Sequence, residues 1–594
     1  MSHVARQPPR SSTPRLLGVG LAVVLTVQLA VCLWLLSRSY FTQEDFGELQ
    51  AYHQRPFGSE LLRTSVFGHL MPGLIMVERI TGGWLHGSWA AASAITCGVQ
   101  LGGTVAFARV LIALHGRRWW LPWPVAAFAL GTIGLNTVSW WAATLAPQVA
   151  VMASVSAFGC ALRYDAGHRL RHLGSLLVMF GLAVAFFEKS VVVSAYLGLF
   201  VLLVGTHDAA EGWRERWRRV VSLWPVWLVL TVVSAADLAV YFHGAYLDEA
   251  GDPAEVGQTI AYLVRALPEG VFTSLIGAAR PLSSLPGPDL LTPVVATAVA
   301  LGVVAFTCLR SSLARRAWLW FAISAAVSQF LVARGRLGLE GTDKVVSELR
   351  YQVDPAWLFL LALSVALPAA GRTLGPSAHR RVAATAALLP AAALPLWVQS
   401  VHSLSTHAPG AYARDYLGEL RSKDLPADAA FLDMAVPERL VPAPMRPWNL
   451  ASTVYPVARR DVRMTHDPDG ALWITPDGTV APVRLDDVTA PASLGCIDSA
   501  DGLVPVTVDA LTSADARPPL LVAMHYRSAE SPSVVVLVGP AGDPAAAHFD
   551  PAVPVEGSGD LALPVAAGPG DAVYLAAADA EPVCLDDVRL ARPR

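Results

Sequence analysis

The stretch R-L-L-G-V-G-L-A-V-V-L-T-V-Q-L-A-V-C-L-W-L-L-S-R-S-Y-F-T-Q-E-D-F, Arg15 to Phe46, sets the reading of the whole chain. Its apolar run, Leu16–Leu36, follows Arg6, Arg10 and Arg15 and is about as long as the ~20 residues that cross a hydrocarbon core. A signal-peptide core is shorter, ~7–15 residues, and precedes a small-residue cleavage site that is missing here, so this span reads as an anchor that stays. Basic residues before a span hold that end in the cytoplasm. The acidic pair Glu44-Asp45 just beyond it is therefore expected on the opposite face.

The composition extends this reading to most of the chain. Hydrophobic residues make up 54% and charged residues 15%, against roughly 25% charged in a soluble domain. The net charge of −3 gives no basic footprint for nucleic acid.

Apolar runs of near-spanning length recur at Leu16–Leu36, Trp89–Leu114, Leu121–Ser139, Pro147–Leu162, Leu173–Phe187, Val191–Gly205, Val220–Val240, Leu290–Leu309, Ala317–Ala333, Ala356–Ala370 and Val382–Ser400. The expectation is about eleven crossings in residues 16–400, behind a cytoplasmic tail at 1–15. Several runs are shorter than a full span of ~20 residues, which predicts half-helices. Arginine fills the connections Arg117–Arg118, Arg163–Arg171, Arg214–Arg219, Arg310–Arg316 and Arg372–Arg381, which places all five in the cytoplasm with the N-terminus. Between Arg171 and Arg214 the apolar stretch is broken by Glu188-Lys189. Both ends are basic, so two short helices should meet there. The odd total puts the C-terminus outside, along with Ser37–Ser88, Tyr241–Asp289 and Arg334–Pro355.

After a linker helix expected over 401–424, with Ala411–Lys423 helical, residues 425–594 change character. Short apolar runs at Leu472–Ile474, Val504–Val508, Leu520–Met524, Val534–Val538, Ala572–Ala576 and Val583–Leu590 lie between Gly, Pro and Asp clusters. Asp469-Gly470 and Asp477-Gly478 are tight-turn signals. This spacing predicts an extracytoplasmic, mainly β domain of sandwich type. Cys32, Cys97, Cys160 and Cys308 fall in apolar spans as small fillers. Cys496 and Cys584 are the one pair in the outer domain, and either a disulfide or two buried thiols fits them. No CxxC or Cys/His cluster indicates a zinc site, and nothing in the pattern calls for or excludes another divalent metal.

Four groups of residues could carry chemistry. Glu44 and Asp45 are either a general base at the membrane surface or solvated loop acids. His69, in F-G-H-L-M-P-G at Phe67–Gly73, stands before a helix break at Met71-Pro72 that opens a half-buried helix. Glu188 and Lys189 sit at membrane depth, where unpaired charge is costly, so they pair or line a polar cavity. Arg334, Arg336, Lys344 and Arg350 crowd one outer loop against the positive-inside trend. An anionic ligand such as phosphate would account for them, as would anionic lipid headgroups. Only Lys189, Lys344 and Lys423 are lysines, so two of the three fall among these four groups.

The residues Q-E-D-F at 43–46, F-G-H-L-M-P-G at 67–73, W-W-A-A-T-L at 140–145 and F-E-K at 187–189 give a chain that resembles the GT-C glycosyltransferases. It looks most like actinobacterial membrane proteins of the mannosyltransferase and arabinosyltransferase type, over roughly residues 1–425. The resemblance implies an inverting transfer of sugar from a polyprenyl-phosphate donor to a glycan, lipid or protein acceptor of the cell envelope, outside the inner membrane. It gives Glu44 and Asp45 the role of base. The family often has Asp-Asp where this chain has Glu-Asp, and Asp45 aligns with the second acid. Lys189 and the outer-loop cations would then neutralise the departing lipid phosphate. A lipid-linked sugar flippase, or a non-catalytic anchor for a glycan-binding domain, are the alternatives.

Overall fold

The computed structural model describes residues 13–594 apart from 139, 206–211, 245–253, 279–290, 374–392, 427, 443–444, 446, 500–502, 507–510, 512–519, 530, 541–547, 550–551, 566–570 and 579–580. The chain forms two compact units. One comprises Met1–Ser39 with Arg55–Ala408, the other Tyr40–Gln54 with Pro409–Arg594.

The first unit is helical. Among the described residues seven helices are long and apolar enough to cross a membrane: Arg15–Leu36, Trp89–His115, Trp141–Gly167, Trp224–His243, Leu291–Arg310, Ser312–Glu340 and Leu349–Gly371. They mark a multi-pass membrane protein. Among the described residues these seven do not confirm the expected count of about eleven. Leu121–Ser139 is not one span but two short helices, Pro122–Leu130 and Thr132–Asn136, because Gly131 leaves helical geometry at φ −59°, ψ 140°. The Leu130 carbonyl freed by the break accepts from Trp397 Nε1 at 2.7 Å, and the Gly134 carbonyl, near the end of the second helix, accepts from Gln100 Nε2 at 3.0 Å. A backbone break inside a helical membrane bundle persists only when its polar groups are satisfied in this way.

The stretch between Arg171 and Arg214 folds as Leu170–Phe186, a 3-10 turn at Glu188–Val192, and Val193–Leu203. Both flanking helices are shorter than a spanning helix needs. The expected span Val382–Ser400 begins outside the described residues, as does most of Arg372–Arg381, and helix is described from 393 to 407. Packing centres on aromatic rings. Phe158 lies edge-on to Phe200 and Trp357, and Phe200 to Trp320, at centroid distances of 5.1, 5.9 and 5.1 Å. Trp320 Nε1 donates to Tyr196 O at 2.8 Å, which satisfies its one donor in the apolar interior.

One expectation is overturned. Arg334–Pro355 is not a loop. The helix Ser312–Glu340 runs through Arg334 and Arg336 and stops only at Gly341, whose φ of +76° ends it. The helix Thr342–Ser347 and the 3-10 turn Leu349–Gln352 follow. The sequence V-A-R-G-R-L-G-L-E has no proline, and its alanine, leucines and arginines sustain helix despite two glycines.

The second unit contains a β-sandwich. One sheet orders Gly557–Val565, Leu520–Ser528, Val583–Pro593 and Leu485–Asp487, with Gly495–Ile497 also on Val583–Pro593. The other orders His548–Phe549, Ser533–Pro540, Asp571–Ala577 and Val504–Pro505, with Val553–Pro554 also on Ser533–Pro540. Alternate residues Val522, Met524, Val534, Val536, Val573 and Leu575 share one core between the sheets, as the period of two requires. Cys496 faces Cys584 across paired strands, and a disulfide joins them over 88 residues of sequence.

The unit is more than a sandwich. Arg463–Thr465, Ala430–Leu432, Leu472–Ile474 and Val480–Pro482 form a mixed sheet in which Ala430–Leu432 runs parallel to two neighbours. Parallel neighbours need a crossover, and the helix Ala451–Ala458 lies in the connection between the first parallel pair. Three-residue strands carry too little alternation to read as α/β. This sheet packs on the sandwich through Leu432, Met434 and Trp473 against Leu521 and Ala562. The helical linker expected over Ala411–Lys423 is two helices, Pro409–Tyr416 and Gly418–Ser422.

Candidate functional site

Glu44 and Asp45 are not loop acids. They open the helix Glu44–Gln54 and are buried, at 5% and 0% exposure. A helix N-terminus favours negative charge, since its first amides point outward with partial positive charge. The turn before the helix is held by the Asp45 carboxylate and the Leu440 carbonyl. The Thr42 amide donates to Asp45 Oδ2 at 2.8 Å, the Gln43 amide to Leu440 O at 2.9 Å, and Thr42 Oγ1 to the same carbonyl at 3.3 Å. Gln43 takes φ +52° to allow this. The helix is seated in the second unit by Gly47, where a Cβ would stand 2.1 Å from the Trp448 ring. Gln50 Nε2 donates to Ser452 O at 3.3 Å. The acidic helix, encoded far ahead of residue 409, thus folds as part of the second unit.

The membrane unit builds a separate charged cluster. The turn Phe67-Gly68, with φ of +51° and +80°, closes the short hairpin in which Val66 pairs with His69. Positive φ at both turn residues matches the twist of a two-residue hairpin. Pro72 then starts the helix Pro72–Gly82. Gly73 lets this helix touch Phe186, where a Cβ would lie 2.4 Å from the ring. That approach brings His69 edge-on to Phe187 at 5.1 Å and puts its Nδ1 2.5 Å from Glu188 Oε1.

Glu188 and Lys189 do not pair with each other. The extended Phe187 and the 3-10 turn that follows send Glu188 to His69 and Lys189 to Asp354, whose Oδ2 is 3.0 Å from Nζ. Asp237, on Trp224–His243, lies within electrostatic reach of Glu188. Lys189, Asp354, Arg350, Tyr351 and Ser154 line one small cavity. Arg350 stacks over Trp140, its Cζ 5.0 Å from the ring centroid, and pairs with Glu348 at 2.5 Å. Burial pushes the Glu348 carboxyl up from its ordinary range, and the Arg350 guanidinium opposes that shift.

The other cations of the supposed loop divide. Arg334 is exposed and Arg336 half-buried on the long helix. Lys344 is exposed, 3.6 Å from Glu340. The structure therefore brings Lys189 and Arg350 to one cavity, leaves Arg334 and Lys344 outside it, and joins His69 to Glu188.

Sequence reasoning did not single out Asp354, Glu348 or Asp237, and it picked Trp140 only as part of W-W-A-A-T-L. The signal for Asp237 was present: it is a lone carboxylate in the apolar run Val220–Val240, whereas Asp354 fell in the segment read as a loop. W-W-A-A-T-L proves to be a helix start, with Thr144 Oγ1 and Gln148 Nε2 both donating to Thr137 O. Among the described residues no group of three or more His, Cys, Asp or Glu side chains is gathered to hold a metal ion.

The fold and these sites define a class, a polytopic helical membrane protein with a C-terminal β-sheet region. No protein-family model matches the chain, and no curated protein matches it. Among solved structures, the single-particle cryo-EM structure of arabinosyltransferase EmbB from Mycobacterium smegmatis is a distant match. It is 14% identical, with a TM-score of 0.34 over 99% of this chain and 66% of that one. The chain thus spans just under two thirds of that structure's length.

Proposed function

We propose that this protein is an inverting glycosyltransferase of GT-C type, moving a sugar from a polyprenyl-phosphate donor to a cell-envelope acceptor on the outer face of the inner membrane. The observation that carries this reading is the cavity in the membrane unit lined by both Lys189 and Arg350. Two cations held in an apolar helical body suit a phosphate that carries a lipid chain. Arg350 is fixed by its stack on Trp140, so its planar fork meets phosphate oxygens with little further ordering.

In the transfer, the acceptor hydroxyl oxygen bonds to the sugar's anomeric carbon as the bond from that carbon to phosphate oxygen breaks. The electron pair leaves with the lipid phosphate, and the hydroxyl proton passes to a carboxylate. Asp45, oriented by the Thr42 amide, is the preferred base, with Glu44 beside it. His69, Glu188, Arg334, Arg336 and Lys344 are assigned to substrate binding in this reading, all from positions outside the cavity lining. The proposed orientation, N-terminus inside and C-terminus outside, rests on arginine placement, and Arg219 pairs with Asp165. That contact joins two arginine-rich segments that must then share one side.

The test is sugar transfer by the full chain in nanodiscs, with a polyprenyl-phosphate sugar donor and an envelope glycan acceptor. Loss of transfer in Lys189→Gln and Arg350→Gln variants that remain folded supports the proposal. Transfer at wild-type rates in both overturns it. Wild-type movement of a fluorescent lipid-linked sugar across the bilayer, with no transfer, would favour the flippase.

A further inference from the structure

The helix Trp213–Ser222, W-R-E-R-W-R-R-V-V-S, has no buried residue. At 100° per residue, Trp213, Trp217, Val220 and Val221 fall on one stripe about 100° wide. Arg214 and Arg216 flank that stripe, and Arg218, Glu215 and Arg219 lie opposite. The stripe is open: Trp213, Trp217 and Val221 are 60%, 54% and 56% exposed. Its next neighbour Trp224, at the head of the following span, is 64% exposed.

The polar side is tied down. Arg219 pairs with Asp165, near the end of the span Trp141–Gly167. Trp227 Nε1 donates to Val220 O at 2.6 Å, fixing the helix to the start of Trp224–His243. The helix therefore sits where two spans end, at the height of a membrane surface.

We propose that Trp213–Ser222 is an interfacial helix that binds anionic phospholipid. Trp213, Trp217 and Val221 enter the region between headgroups and acyl chains, where the amphipathic indole is favoured. Arg214 and Arg216, at the edges of the stripe, reach the phosphates of the same lipids. Charge complementarity selects this occupant. The ten residues hold four arginines against one glutamate, and an apolar stripe bordered by guanidinium groups matches a surface that is apolar below and anionic above. A protein partner would need an acidic rim around an aromatic-binding groove.

The full chain is reconstituted in nanodiscs of mixed phosphatidylglycerol and phosphatidylcholine. Spin labels are placed singly at Val221→Cys and Arg218→Cys, and collision with oxygen is compared with collision with a water-soluble nickel chelate. Val221 is expected to favour oxygen and Arg218 the chelate. Equal chelate access at both overturns the proposal, as does shielding of Val221 from both reagents, which would mean that protein covers the stripe. Lipid retained through detergent extraction is then measured by native mass spectrometry. Arg214→Gln with Arg216→Gln should lower bound phosphatidylglycerol at least threefold and leave phosphatidylcholine unchanged. Unchanged phosphatidylglycerol in that variant also overturns the proposal.

Discussion

The two units bury charge by different rules. In the membrane unit several charges find an opposite charge far away in sequence, Lys189 with Asp354, His69 with Glu188 and Arg219 with Asp165, while the buried Glu348 pairs with its near neighbour Arg350. In the second unit the buried acids Glu44 and Asp45 stand at a helix N-terminus, and Asp45 takes a backbone amide. The ion pairs of that unit lie largely on its surface, such as Arg527 with Asp586 and Arg589 with Asp487. The difference follows from the solvent around each unit. Hydrocarbon offers nothing to an unpaired ion, so tertiary partners are obligatory. In a water-facing domain, oriented amides can hold a carboxylate and leave it free to accept a proton.

This contrast can be broken, and its largest expected effect lies at Asp45. Asp45→Asn should lower transfer ~10²–10⁴-fold, the range for losing a general base. It should fold, because the new amide oxygen can still accept from Thr42. Asp45→Ala leaves that amide without its partner and should also cost ~1–3 kcal/mol of stability. If Asp45→Asn, Glu44→Gln and their combination all keep wild-type transfer, the acids serve only the helix.

The disulfide sharpens the comparison, since it acts on one unit only. Replacing Cys496 and Cys584 by serine opens a loop closed across 88 residues, and should destabilise the second unit by ~2–4 kcal/mol. Calorimetry of the full chain checks this. Titration finding two reactive thiols in denatured, unreduced wild type would contradict it.

Arg350→Gln tests the membrane rule. Donor affinity should fall by ~1.5–3 kcal/mol, the worth of a charged hydrogen bond. The change also strands the buried Glu348 carboxylate, which destabilises the fold. Adding Glu348→Gln should restore the melting temperature without restoring donor affinity. Recovery of both would make Arg350 a partner of Glu348 and nothing more. Arg350→Lys should fall short of wild type, because the fork is lost.

The smallest effect is a pH dependence in the second unit. Burial holds His466 below its ordinary value of 6.5, so the folded state keeps it neutral. The unfolded chain takes up a proton first as pH falls through ~6.5. Stability of this unit is therefore fully present above that pH and declines below it, down to the folded value. His466→Gln should flatten the slope in thermal melts between about pH 6.5 and 5. An unchanged slope would show that other groups set it.

Much of the architecture follows from sequence alone, because apolar run length and arginine placement are local quantities. Leu16–Leu36, Trp89–Leu114 and the break at Glu188-Lys189 could be read this way. So could the sandwich strands, whose short apolar runs between turn residues mark Leu520–Ser528 and Ser533–Pro540. What failed was non-local. Gly131 breaks a helix where Trp397 can satisfy the Leu130 carbonyl that the break frees. Arg334 and Arg336 continue a helix that charge counting had made a loop.

The candidate residues divide along the same line. Sequence determined which side chains were unusual: an acid pair after an anchor, a Glu-Lys in an apolar run, arginines where few were expected. Only tertiary structure decided their partners. It placed Asp354 on Lys189, Trp140 under Arg350 and Leu440 against the turn before Asp45. A charge at low dielectric is costly wherever it lies in sequence, so its presence is legible. Which group neutralises it depends on chain segments brought together from more than a hundred residues apart, and no local pattern encodes that meeting.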